Sequence, residues 1–327
     1  MPLQFGVINE PLPVVIIPNA TAIYYSWDLK TWWTRVIGIS ASNIAYDSVS
    51  GKFAACTAPP NYPAAPNFIR IATGTGVISS PASAWVGIGS GTGPSSAPSV
   101  HYANEQWFLC ETSYIHKYPV SGAAGARYSV AAGIILSGVV YDSVTSRYII
   151  GGGINNYHTT DFVSFTSVAN GMPSTSTTNG LCVGSAGRIV TVGQTAAVGR
   201  ISTSDNGGST WTARTLTPPS GVSAYRALSV VYVSQLGMYF VACQSGLVYS
   251  SPDAITWTHR ATLANAPNIH TIGYSQKLGK VFAVGTTSST LNVAESTNGT
   301  TWVNSDHVRN DNWTGASMLV KRGAIIR

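Results

Sequence analysis

Twelve carboxylates are the only side chains in this 327-residue chain that could do acid–base or nucleophilic work on a glycosidic bond. That chemistry needs two of them facing one cleft. The glutamates are Glu10, Glu105, Glu111 and Glu295, and the aspartates are Asp28, Asp47, Asp142, Asp161, Asp205, Asp253, Asp306 and Asp311. Asp28, Asp161, Asp205 and Asp253 recur inside one short motif, whereas a catalytic carboxylate is expected once. Asp47, Asp142 and Glu105 fall in polar turns between apolar runs, and Glu295 directly precedes a motif copy. Glu10, Glu111, Asp306 and Asp311 remain as candidates. The last two lie in NSDHVRNDNW (304–313), the most chemically varied stretch of the chain, which reads as a polar inter-blade loop.

Other catalytic constellations are missing. No GxSxG elbow occurs, the glycines of WVGIGSGTG (85–93) lack the lysine of a phosphate loop, and the six histidines form no i, i+2 or i, i+4 pair. No CxxC or HxH spacing points to a metal, and no cofactor is implied. Cys56, Cys110, Cys182 and Cys243 lie in apolar runs (KFAAC, QWFLC, GLCVG, MYFVAC), the setting of buried free thiols. Charged residues make up 9%, and the net charge of +6 is scattered singly, unlike the concentrated basic stripe of a nucleic-acid binder. No apolar run is long enough to insert in a membrane, and MPLQFGVINE is not a secretory signal. An outside location would be reached by assembly into a particle.

The elements that carry these residues repeat. One segment family runs apolar residue, Tyr, polar turn, apolar run: IAYDSVSGKFAAC (44–56), VHYANEQWFLC (100–110), VVYDSVTSRYIIGG (139–152), VVYVSQLGMYFVAC (230–243) and IGYSQKLGKVFAVG (272–285). These read as β-hairpins. The other family is a small polar cluster closed by an aromatic: Trp32, Trp85, Phe165, Trp211, Trp257 and Trp302, the last four at intervals of 46, 46 and 45 residues. Between Trp85 and Phe165 there is room for one degenerate copy, around 115–130. Alternation of the two families gives four strands per unit of about 45 residues, the signature of a β-propeller.

The sequence therefore predicts an all-β chain forming a single domain over 1–327. It is a seven-bladed β-propeller of four-stranded antiparallel blades, with six blades as the alternative. Residues 1–13 form an N-terminal arm. Residues 14–38 and 315–327 share one closing blade, so that no edge strand stays open.

The polar clusters resemble the Asp-box, or BNR repeat, found in sialidases and other propellers. The copies are Ser26, Asp28, Trp32; Thr159, Asp161, Phe165; Thr203, Asp205, Trp211; Ser251, Asp253, Trp257; and Ser296, Asn298, Trp302, with Asn in place of Asp. A short carboxylate or amide accepts backbone N–H groups of its own turn, and the aromatic packs between sheets. Asn serves as an acceptor but not as a general base, so the motif reads as a turn-builder. By resemblance, a sialidase would need three arginines, a Tyr–Glu pair, an acid–base Asp and a Phe/Tyr-Arg-Ile-Pro motif; Phe68, Ile69 and Arg70 of PNFIRIATG do not reproduce that order.

The resemblance places the boxes at the turn between third and fourth strands and the ligand on the opposite face. Expected contacts there are Tyr62, Asn67, Asn155, Asn156, Tyr157, His307, Arg309 and Trp313, amides and aromatics suited to a sugar or a protein surface. The function predicted is a non-enzymatic interaction propeller. Its partners are subunits of a larger assembly, surface glycan, or both. The Ser/Thr/Asn/Gly-rich composition resembles phage tail and virion surface proteins. A glycoside hydrolase or lyase using Asp306, Asp311 or Glu111 is the alternative.

Overall fold

The computed structural model describes residues 15–31, 33–47, 51–57, 69–73, 86–88, 99–119, 121, 125–263, 268–286, 290–308 and 324–325. These form 26 strands in six antiparallel sheets, with one 3-10 turn at Ser185–Gly187. Five sheets are four-stranded meanders: β6 (Ser99–Ala103), β7 (Gln106–Cys110), β8 (Tyr114–Pro119) and β9 (Ala126–Ser129); β10 (Leu136–Asp142), β11 (Arg147–Gly152), β12 (Asn155–Thr159) and β13 (Thr166–Ala169); β14 (Thr177–Val183), β15 (Ile189–Thr195), β16 (Val198–Ser204) and β17 (Thr212–Arg214); β18 (Ala227–Val233), β19 (Met238–Cys243), β20 (Leu247–Ser251) and β21 (Thr258–Thr262); and β22 (Asn268–Ser275), β23 (Lys280–Thr286), β24 (Thr290–Ser296) and β25 (Val303–Val308). The remaining sheet, first in chain order, has six strands in the order β26 (Ala324–Ile325), β1 (Val15–Ser26), β2 (Trp33–Asp47), β3 (Lys52–Thr57), β4 (Ile69–Thr73) and β5 (Val86–Ile88), so that β6–β9 make the second sheet, β10–β13 the third and β14–β17 the fourth.

The sheet count is six, so the six-blade alternative describes this ring and the preferred count of seven does not. The reason lies in β2. This 15-residue strand pairs with β1 over Trp33–Ala41 and with β3 over Ala41–Asp47, changing register between Ala41 and Asn43. It thus fuses the segment expected to form a separate closing blade to the blade that follows. The termini do meet: Val15 pairs with Ile325 and Ile16 with Ala324. The first strands adjoin in turn, β2 beside β6, then β10, β14, β18 and β22, and β22 touches β26. Closure of this kind leaves no inner edge for another chain to extend.

The second strands β7, β11, β15 and β19 run apolar because they are covered on both faces. Between sheets lie clusters such as Ala54, Cys56, Trp107, Leu109 and Tyr118, or Phe108, Leu136, Tyr148, Tyr157 and Phe162. Side-chain amides tie neighbouring first strands: Asn43 Oδ1 accepts Val100 N–H at 2.9 Å, and Asn179 Nδ2 donates to the Ala227 carbonyl at 2.8 Å. A one-residue register shift recurs in β2, β10, β14, β18 and β22, skipping Ser42, Ser137, Asn179, Leu228 and His270. Bulges of this kind sharpen the local twist. The four cysteines are buried thiols that form no disulfide.

Antiparallel alternation sorts the connections onto two faces. Turns between strands one and two, and three and four, share one face, the turn face. Turns between strands two and three, and the links to the next sheet, share the other, the link face.

Candidate functional site

The connections between strands three and four on the turn face, together with the β1–β2 turn, have one recurring build. Asp28 Oδ1 accepts the N–H groups of Lys30 and Thr31 at 2.9 and 2.7 Å. Asp161 Oδ1 does the same for Val163 and Ser164 at 2.8 and 3.0 Å, and Asp253 Oδ1 for Ile255 and Thr256 at 2.9 Å each. Asn298 takes the same two bonds at 2.9 Å. The preceding hydroxyl accepts the next orphan N–H: Ser26 from Leu29, Thr159 from Phe162 and Ser296 from Gly299, all at 2.9 Å. The indole N–H of Trp257 or Trp302 then closes the turn on the carbonyl of Ala254 or Gly299.

These bonds decide the chemistry. Burial pushes the Asp28 and Asp253 carboxyls up, but the N–H groups of Thr31 and Lys30, and of Thr256 and Ile255, outweigh it and hold both below the usual range. Backbone N–H groups of Ser164 and Val163 lower Asp161 likewise. A carboxylate kept ionised by its own turn is a poor proton donor at neutral pH.

The fourth sheet departs from the expected assignment. Thr203 and Asp205 do not build its turn; Ser204 and Asn206 do. Ser204 Oγ accepts Gly208 N–H at 3.0 Å, and Asn206 Oδ1 accepts Thr210 N–H at 2.9 Å while its Nδ2 donates to Thr210 Oγ1 at 2.8 Å. Asp205 points outward and pairs with Arg188 at 2.5 Å, and Arg188 also donates to the Asp253 carbonyl of the next sheet. Seven residues separate Ser204 from Trp211, against six from Ser251 to Trp257, so the added glycine shifts the motif by one place.

The residue after the acceptor sits at positive φ. It is Leu29 (64°), Phe162 (62°), Ala254 (56°) or Gly299 (74°). Phe162 is buried and stacks on Phe108 of the second sheet, centroids 5.3 Å apart. At Gly299 the space is taken from the other side, since an added Cβ would lie 2.6 Å from Phe240 Cζ. So the large side chain comes from the turn at Phe162 and from the neighbouring sheet at Gly299.

The link face carries a different arrangement. Between β7 and β8 the chain reverses at Glu111–Ser113, where Ser113 has φ of 70°. Its loop is laced to the link that follows β9: Ser113 N–H donates to the Ile134 carbonyl, Val130 N–H to the Ser113 carbonyl and Gly133 N–H to Ser113 Oγ. Thr112 forms a lone bridge with Ile135. Within this frame the Glu111 side chain is fully buried. Its Oε1 lies 2.7 Å from His116 Nε2 and 3.1 Å from Arg127 Nε, a contact made possible because β8 and β9 pair His116 with Arg127. Glu111 Oε2 is buried with no hydrogen-bond partner. The Arg127 guanidinium lies over the Tyr114 ring, 3.6 Å from its centroid, and 36% of its side chain faces solvent.

Several predicted contact residues lie elsewhere than expected. INNYHT is not a loop: β12 starts at Asn155, which half-buries Asn155 and fully buries Asn156 and Tyr157. Tyr157 belongs to the core between the second and third sheets, and both amide atoms of Asn156 are buried without a partner. NSDHVRNDNW is a strand in its first half, with Asp306 opposite Asn292 and His307 opposite Leu291 in β25. Tyr62, Asn67, Arg309, Asp311 and Trp313, and the motif aromatics Trp32 and Trp85, lie outside the described residues. Sequence reasoning singled out Glu111 but missed His116, Tyr114 and Arg127; no spacing links them, and only strand pairing brings them together. Among the described residues no group of three or more metal-ligating side chains occurs, and no helix is long and apolar enough to cross a membrane.

Residues 159–312 match the model of the DUF6242 beta propeller domain. No curated protein sequence matches the chain. Among solved structures, a protein from Lactobacillus plantarum is similar at a TM-score of 0.69 and 9% identity, over 91% of this chain and 96% of that one. A putative 6-phosphogluconolactonase from Bacteroides fragilis gives 0.66 and 7%, over 92% and 96%. YCF48 bound to D1 peptide gives 0.56 and 14%, over 84% and 91%. At these identities the likeness is one of fold: the chain is an all-β propeller of four-stranded antiparallel blades.

Proposed function

We propose that this chain is a non-enzymatic interaction propeller that receives a partner on its link face, as one part of a larger assembly. The observation that carries this reading is the laced Glu111–Arg127 frame. It fixes a partly exposed arginine side chain by a buried carboxylate and an aromatic ring, as a preorganised recognition surface requires. The Glu111 carboxylate is sequestered from solvent and engaged by His116 and Arg127, a poor position for attack on a substrate. The turns of the opposite face are read as Asp-boxes serving architecture. YCF48, a propeller of similar fold, takes a peptide, which supports a polypeptide partner. The low charge and the Ser/Thr/Asn/Gly-rich composition support a virion or tail particle, displayed outside the cell, as the assembly.

The test is a binding screen of labelled protein against intact bacteria, purified surface glycans and random peptides, run beside a panel of chromogenic glycosides. Saturable binding without turnover is expected. Turnover abolished by Glu111→Gln, or no binding in any arm, would overturn the reading.

A further inference from the structure

We infer that Asn206–Gly207 is a self-modifying site of the folded protein, where the asparagine amide leaves as ammonia and aspartate or isoaspartate remains. Four Asn–Gly steps occur in the chain: Asn170–Gly171, Asn179–Gly180, Asn206–Gly207 and Asn298–Gly299. Asn–Gly is the step most open to this chemistry, because glycine has no Cβ to hinder approach of its nitrogen to the preceding side chain. The attacking group is the backbone N–H that follows the asparagine, and it must be free.

Two of the four steps are exposed, occupy matching turns and differ in that one group. Asn206 and Asn298 both face solvent. Asn298 Oδ1 accepts the N–H groups of Thr300 and Thr301 at 2.9 Å each. Asn206 Oδ1 accepts Thr210 N–H at 2.9 Å and the Ser204 hydroxyl at 3.0 Å. Donors on the oxygen polarise Cγ in both and are placed to hold the charge of a tetrahedral intermediate. In the turn at 296–302, Ser296 Oγ captures Gly299 N–H at 2.9 Å, which ties up the attacking nitrogen. In the turn at 204–211 the extra glycine moves that bond one place along. Ser204 Oγ accepts Gly208 N–H at 3.0 Å, and Gly207 N–H donates to no group among the described residues. The other two steps are held by different means. Asn170 is fully buried, with Nδ2 on the Gly153 carbonyl and Oδ1 on Met172 N–H. Asn179 lies within β14 and commits Nδ2 to the Ala227 carbonyl of the next sheet.

The reaction balances with water as its only co-reactant. A bond forms between Gly207 N and Asn206 Cγ, the Cγ–Nδ2 bond breaks, and the proton of the attacking nitrogen leaves with the amide as ammonia. Water then opens the cyclic imide at either carbonyl, giving aspartate from one opening and isoaspartate from the other. Aspartate keeps the kind of acceptor that Asp28 and Asp253 supply in their turns. Isoaspartate lengthens the backbone of the turn by one carbon.

The test is incubation of the full chain in mildly alkaline buffer, with a parallel sample in concentrated urea, followed by tryptic peptide mapping by mass spectrometry. An isoaspartyl methyltransferase assay on the peptide spanning 201–214 then separates isoaspartate from aspartate. In the native protein Asn206 should convert at least about tenfold faster than Asn298, the factor that one hydrogen bond on the attacking nitrogen is worth. In urea the two should convert at closely similar rates. Ser296→Ala, which frees Gly299 N–H, should raise native conversion at Asn298; the comparison within the unaltered protein decides the matter if that variant does not fold. Asn206 staying intact in the native sample, or Asn298 converting there as fast as Asn206, would overturn the inference. So would a rate difference in urea equal to the native one, since local sequence and not the turn would then be choosing.

Discussion

Ser204→Ala should destabilise the fold more than Asp205→Ala, although Asp205 is the residue that the motif in the sequence first suggests. The Ser204 hydroxyl is 2% exposed and accepts the N–H of Gly208, itself buried. Its removal leaves that donor unpaired, which costs about 1–3 kcal/mol. Asn206 is exposed but makes two hydrogen bonds to Thr210, so Asn206→Ala should cost about 1–2 kcal/mol. Asp205 contributes one ion pair with Arg188, in which its own side chain is 57% exposed, worth about 0–1 kcal/mol. Urea unfolding of the three variants against the parent, at one pH and salt concentration, reads the order directly. Asp205→Ala falling as far as Ser204→Ala, or Asn206→Ala having no effect, would refute this assignment of the turn.

Four further outcomes can be measured. Phe162→Ala should cost about 3–5 kcal/mol by emptying the stack against Phe108, Tyr128 and Tyr148, read by thermal unfolding. Gly299→Ala should cost about 1–3 kcal/mol, because its Cβ would strike Phe240 and its φ of 74° favours glycine. Asp28, Asp161 and Asp253 titrate below their unfolded value near 3.9, so the stability they add is present above about pH 4 and drains as pH falls through their lower folded values. Asp253→Asn, which Asn298 shows to be compatible with the turn, should therefore flatten the acid limb of stability against pH. All four thiols are buried, and burial pushes the Cys243 thiol up, so a thiol reagent should titrate them only after denaturant is added.

The fold was largely legible because its unit is short and repeated. Hairpins such as VVYDSVTSRYIIGG and IGYSQKLGKVFAVG became the first two strands of sheets, and the degenerate stretch around 115–130 became β8 and β9. Blade number was harder to read, since nothing in TWWTRVIGISASNIAYD says that β2 runs on through two pairings. The fourth turn misled because Asp205 and Asn206 are both competent acceptors one place apart, and only the extra glycine chooses between them. Asn155–Tyr157 looked like a loop because paired asparagines suggest a turn, yet pairing with β11 made it a strand. Arg127 carried no local signal at all; its partners Glu111 and His116 lie 16 and 11 positions earlier in the chain.

The central claim is that partners bind the link face while the turn face is architectural. Hydrogen–deuterium exchange of the full chain, with and without a saturating peptide or glycan recovered from the screen, tests this most directly. Protection is predicted at 111–114, 127–135 and 153–155, with the turns at 159–165, 204–211, 251–257 and 296–302 unchanged. Protection confined to those turns, with the link face unaltered, would contradict the account.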